Sequence, residues 1–169
     1  CPQAVVVRPR FKRYREISSQ VFEVFREFTD VVEGLSLDEA FLDVTTSSGL
    51  FGSGEDMARE IKKRIHERTG LTASVGVSHN KLLAKLASEM QKPDGLTLIR
   101  PEDVTAMLDP LPVGRLFGIG AKTAARLEKE GLYTLGQLRR APESVLWPRF
   151  RRETRKYQDR AAGIDERPV

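Results

Sequence analysis

Cysteine is almost absent from this chain, and the single one, Cys1, stands at its first position. One thiol excludes an internal disulfide framework and fits a reducing compartment. No base lies near it in sequence, which removes the usual basis for a nucleophilic role. Histidine is equally scarce: His66 and His79 have no partner at metal or triad spacing and read as structural. No apolar run approaches the ~20 residues of a membrane span. No charged-then-apolar start resembles a secretion signal, so the expected location is cytoplasmic. Long repeats and low-complexity segments are missing too. So is an initiating methionine, which points to an internal fragment of a longer protein.

What is present describes an ordinary folded protein. A length of 169 residues with 40% hydrophobic and 31% charged side chains gives a real core, in one large domain or two small ones. The charge is unevenly placed. Residues 1–110 hold 15 Lys and Arg against 17 Asp and Glu, whereas residues 111–169 hold 13 against 7. A near-neutral front and a basic back half point to a polyanionic partner for the back, or equally to a basic face kept for solubility.

The spacing predicts alternating elements up to about Arg100. Ala4–Arg8 reads as a strand. Phe11, Tyr14, Ile17, Val21, Phe25 and Phe28 recur at three- and four-residue steps, one stripe of a long helix. Strands follow over Val31–Leu37 and Ala40–Thr45, then a Ser- and Gly-rich loop over Thr46–Gly54. A second helix from Glu55 to about Arg68 turns Met57, Ile61 and Ile65 to one side and stops at Gly70. Leu71–Ser78 alternates with period two and reads as a strand. A helix over Asn80–Gln91 faces Leu82, Leu83, Leu86 and Met90 inward, and Pro93-Asp94-Gly95 turns into a last strand, Leu96–Ile99. This β-α-β-β-α-β-α-β order is that of an extended ferredoxin-like core, an α+β fold with the Asp38–Glu39 hairpin in mid-sheet. After Pro101 only short helices broken by Gly and Pro are expected, so the domain boundary is drawn near Arg100.

The run Ser36-Leu37-Asp38-Glu39-Ala40-Phe41-Leu42-Asp43-Val44-Thr45 carries the chemistry. Adjacent acids between apolar strands repel one another, and a divalent cation is the common compensation. Oxygen ligands with no His or Cys nearby favour Mg²⁺ or Mn²⁺ over zinc. A solvated hairpin tip is the plainer reading of the same pair. Asp43 reads as structural, holding the hairpin through backbone hydrogen bonds. Gly118-Ile119-Gly120 lies between helical segments and reads either as an ordinary turn or as a place where backbone amides approach a phosphate. Lys81 and Lys85 share a helical face that reads as solvated.

These motifs, taken in order, resemble those of the Y-family, lesion-bypass DNA polymerases. The likeness rests on Ser36–Asp43, Ser74–Lys81, Lys85-Leu86-Ala87-Ser88, Lys92-Pro93-Asp94-Gly95 and Phe117–Gly120, and covers nearly the whole chain. The resemblance implies a polymerase palm over residues 1–99 and a small all-helical thumb with a helix–hairpin–helix element over residues 100–169. It implies template-directed nucleotidyl transfer with two Mg²⁺ ions, replaceable by Mn²⁺, ~3.5–4 Å apart. Asp38 and Glu39 would then be catalytic and metal-ligating, and Lys92 would meet the triphosphate. Gly118, Gly120 and Lys122 would hold a DNA phosphate, with a monovalent cation at the turn. Implied partners are primer–template DNA, a deoxynucleoside triphosphate and, for the longer parent, a sliding clamp. No membrane is implied, and the state is monomeric.

The chain departs from that pattern in three places. It lacks the strand of type D-x-D-x-F-F-A that supplies a third carboxylate. It lacks fingers and a little finger. It also has Arg151 where a second thumb hairpin usually places glycine after Phe150. The expectation is therefore a palm-plus-thumb fragment, inactive by itself. Two other readings stay open: a module that binds DNA without chemistry, and a nucleotidyl cyclase-like domain, against which Leu35 and Ser36 stand where that family places glycines.

Overall fold

The apolar stripe on either side of Val21 produces α1, Phe11–Arg26, in a computed structural model that describes all of residues 1–169. The chain is mixed α+β and divides into two units, Cys1–Thr72 with Val169, and Ala73–Pro168.

In the first unit α1 leads to β1 (Val32–Gly34) and β2 (Ala40–Leu42), an antiparallel pair with Val32 opposite Leu42 and Gly34 opposite Ala40. A short helical turn at Thr45–Ser47 and α2 (Ser48–Phe51) precede α3 (Gly54–Thr69). The Ser53 hydroxyl caps α3 and Asp56 reciprocates, the reason the helix begins there. Helices α1 and α3 pack together, burying Val24 and Phe28 with Met57, Ala58, Ile61 and Ile65. Their ends are joined by charge. Arg64 donates to Glu27 at 2.6 Å and to Glu60 at 2.9 Å, and Arg68 also donates to Glu27.

The second unit opens with β3 (Val75–Val77), followed by α4 (Lys81–Met90) and β4 (Leu96–Leu98), which pairs parallel to β3. Gly76 lets α4 lie close against β3: a Cβ there would lie 2.0 Å from the Ala84 carbonyl oxygen. Asn80 caps α4 by accepting from the Leu83 amide at 2.9 Å and donates to the Gly163 carbonyl at 2.8 Å. Helical turns then dominate: α5 (Val104–Leu108), α6 (Ala121–Lys129), α7 (Leu135–Arg140), α8 (Glu143–Phe150) and α9 (Thr154–Ala161). One continuous core runs through them from Leu82 to Ala161 and includes Leu108, Leu127, Leu135, Leu138 and Leu146. No helix is long and apolar enough to cross a membrane.

Several expectations change. Ala4–Arg8 is not a strand: Val5, Val6 and Val7 are 86%, 94% and 77% exposed. β-branched residues favour an extended chain, but a strand needs a hydrogen-bonding partner to be one. The strand expected over Leu71–Ser78 shrinks to three residues, the length over which β4 matches it. Thr46–Gly54 is largely helical turn rather than open loop, with the Ser47 hydroxyl donating to the Phe28 carbonyl at 2.6 Å. Met90 is partly exposed instead of facing inward.

Candidate functional site

The loop between β1 and β2 is five residues long, Leu35–Glu39. It folds back on itself because the amides of Leu35 and Ser36 both donate to the Glu39 carbonyl, at 2.8 and 3.2 Å. The Ser36 hydroxyl donates to Asp38 Oδ1 at 2.6 Å and accepts from the Asp38 amide at 3.3 Å, which fixes the aspartate's direction. Asp38 is exposed and Glu39 half-buried. The base of the hairpin is tied by Thr29, whose hydroxyl donates to the Asp43 carbonyl at 2.6 Å and accepts from the Val31 amide at 3.1 Å. Asp43 Oδ1 accepts from the Thr45 amide at 2.9 Å, and hydrogen bonding from Thr45 holds its carboxyl below the usual range. Asp43 thus braces the hairpin.

As a donor set, Asp38 and Glu39 offer hard oxygens on one short loop. Nowhere do three His, Cys, Asp or Glu side chains gather as a metal group. Two carboxylates fit Mg²⁺, which keeps several waters and takes its remaining ligands from substrate phosphates.

The lysines are placed differently from the solvated face expected. Lys81 is 7% exposed, and its ammonium donates to the Pro168 carbonyl at 2.9 Å. Lys85 donates to Glu89 at 2.8 Å. Lys92 is half exposed and donates to the same glutamate at 2.7 Å. Both lysines hold the Glu89 carboxyl below its usual value, Lys85 with the larger effect. Sequence reasoning passes over Glu89, although its spacing of four from Lys85 and three from Lys92 is the available signal.

The turn before α6 supplies the third set. Gly118 has φ +98°, a conformation open to glycine but strained for other residues, and Gly120 is the N-cap of α6 with no side chain closing it. The Tyr157 hydroxyl reaches the Gly118 carbonyl at 3.5 Å. Lys122 lies exposed in the first turn of α6. Arg126 and Lys129 follow at four and seven residues, on the face opposite buried Ala124 and Leu127. After α8 the chain repeats the manoeuvre without glycine, since Arg151 takes φ +51° and its amide closes onto the Trp147 carbonyl.

The structure thus leaves Asp38 and Glu39 on one loop of the first unit. In the second it gathers Gly118, Gly120 and Lys122 at one turn, and sets Lys92 beside Glu89 and Lys85.

The chain belongs to the impB/mucB/samB family, whose model matches residues 1–89. Over all 169 residues it is 52% identical to a DNA polymerase IV of Alkalilimnicola ehrlichii and 50% identical to one of Halorhodospira halophila. In both cases the match takes in the whole of this chain and 48% of the relative. Among solved structures, a DinB family error-prone DNA polymerase from Sulfolobus solfataricus superimposes with a TM-score of 0.90 at 33% identity. That match covers 100% of this chain and 51% of the other. The chain spans about half the length of the curated relatives it matches, and the Y-family likeness read from its motifs stands.

Proposed function

We propose that this chain is the palm and thumb of a translesion-type, DNA-directed DNA polymerase. Residues 1–99 form a palm of ferredoxin-like descent, and residues 100–169 form a helical thumb that grips DNA through a helix–hairpin–helix turn. The observation that carries the reading is the Leu35–Glu39 loop, which carries Asp38 and Glu39 consecutively and directs Asp38 through Ser36. These carboxylates would hold Mg²⁺, or Mn²⁺ in its place. Held there, the ion would supply the charge that activates a primer hydroxyl and neutralises the triphosphate. Asp38 and Glu39 supply two of its ligands, and a further carboxylate from elsewhere in a longer protein completes the pair of sites. Lys92 contacts the triphosphate as a point charge. The Gly118–Gly120 turn and Lys122 hold a phosphate of primer–template DNA without reading bases, and a monovalent cation can bridge the turn's carbonyls to it. The parent polymerase would act as a monomer and meet a sliding clamp through segments outside these residues.

The test is a chimera in which this chain replaces the matching segment of the Alkalilimnicola ehrlichii relative. It should extend a primer in Mg²⁺, while the 169 residues alone should not. Asp38→Asn should lower the chimera's rate at least about 10²-fold, as loss of a preorganised electrostatic contact does. Extension that ignores Asp38→Asn would remove the palm assignment.

A further inference from the structure

Lys85, Glu89 and Lys92 form a cluster that the polymerase reading uses only in part. A single oxygen of Glu89, Oε1, accepts from both ammoniums, 2.8 Å from Lys85 Nζ and 2.7 Å from Lys92 Nζ. Two lysines converging on one anionic oxygen is also how they would meet an oxygen of a phosphate chain. Their freedom is unequal. The Lys85 side chain is 20% exposed and lies within α4, whereas Lys92 is 50% exposed and lies beyond the helix end. Lys92 is therefore the partner able to move.

Resting on the assignment of Lys92 to the triphosphate, we propose that Glu89 is an internal stand-in for phosphate: a polyphosphate binds by drawing Lys92 away from Glu89, and Glu89 sets the strength of that contact. Glu89 is a positioning residue, because it touches the lysines and not the reacting atoms. It holds Lys92 extended toward Lys85 and keeps the two ammoniums from repelling each other. It also opposes any anion that arrives. At a separation of ~5 Å one unit charge repels another by more than RT even in water, and a polyphosphate carries several. With the carboxylate neutralised, the Lys92 ammonium is released to the ligand. Ion pairs three and four residues apart along a helix surface contribute little to folding, so the effect on binding can be read apart from stability.

The probe is inorganic tripolyphosphate, titrated without metal into the 169-residue chain. Glu89→Gln, which keeps the shape and removes the charge, should tighten binding about fivefold to tenfold near 0.01 M salt. The gain should shrink toward unity near 1 M, where the screening length is about 3 Å. Glu89→Asp, which keeps the charge, should bind as the parent chain does. Lys92→Ala should weaken binding at least about tenfold in both the parent and the Glu89→Gln background. Equal affinity of the parent and Glu89→Gln, or weaker binding by Glu89→Gln, would overturn the role of Glu89. In either case Lys92 keeps its assignment as long as Lys92→Ala still weakens binding. A Lys92→Ala chain that binds normally would overturn the triphosphate assignment itself. No binding to either the parent or Glu89→Gln would overturn the proposal.

Discussion

Arg151 shows what a single residue can cost. Its φ of +51° places a long, charged residue in backbone territory that glycine enters freely. Such a residue carries on the order of 1–3 kcal/mol of strain, while glycine would cost about 0.5–1 kcal/mol through the unfolded chain's extra freedom. The strain outweighs the lost freedom. Arg151→Gly should therefore raise stability by about 1 kcal/mol, an increase in Tm of about 2–4 °C for a chain of this length. An unchanged or lower Tm would show that the turn is not strained. The resemblance read from the motifs already marks this position, because it implies glycine there. It does not show that the turn forms regardless, with the cost held locally.

At the level of elements, the junction of α1 and α3 rests on one carboxylate. Glu27 accepts from Arg64 and Arg68, and the Arg64 hydrogen bond is the main cause that holds its carboxyl below the usual range. A carboxyl depressed in the folded state contributes stability that is fully present above its unfolded value. That contribution is lost as the pH falls through the folded one. Thermal melts of the parent and Glu27→Gln should thus differ most at neutral pH, by about 1 kcal/mol for a pair this open to solvent. The two curves should converge as the pH falls below the ordinary carboxylate range. Curves that stay parallel down to acid would assign the bridge no energetic weight.

The same elements show what can be read in advance. Helices α1, α3 and α4 are legible because their apolar spacing persists for ten residues or more. Strands are legible in place but not in length, since β1 to β4 each span three residues and pairing, not side-chain pattern, sets where they stop. Asp38 and Glu39 are visible as a chemical anomaly. Lys81 reads as solvated because the carbonyl that takes its ammonium, that of Pro168, is 87 residues away. Glu89 is unremarkable as a letter and becomes informative only with two lysines on one oxygen.

For the whole molecule, the excess of cations in residues 111–169 has a structural address. Arg139 and Arg140 are taken up by Asp109, Arg149 by Glu130, and Lys156 by Glu153. Lys122, Arg126 and Lys129 form no such pairs on the exposed face of α6. Duplex DNA binding by this chain should be indifferent to sequence and weaken steeply with salt. Lys122→Ala should lower the slope of log K against log salt by about one and weaken all duplexes alike. If affinity and slope are unchanged, the turn at Gly118 is not the grip. Asp38→Asn should leave this binding intact.

The close approach at Gly76 reaches further than packing. Where strand and helix touch backbone to backbone, the only side chain beside the contact is the Ala87 methyl, which has no rotamer to change, so β3 and α4 behave as one stiff lever. Lys85 and Glu89, carried on that helix, inherit the stiffness, while Lys92 lies beyond its end. A polyphosphate drawn to Lys92 is met by a flexible arm on a rigid mount, and the adjustment to each ligand falls to the arm alone.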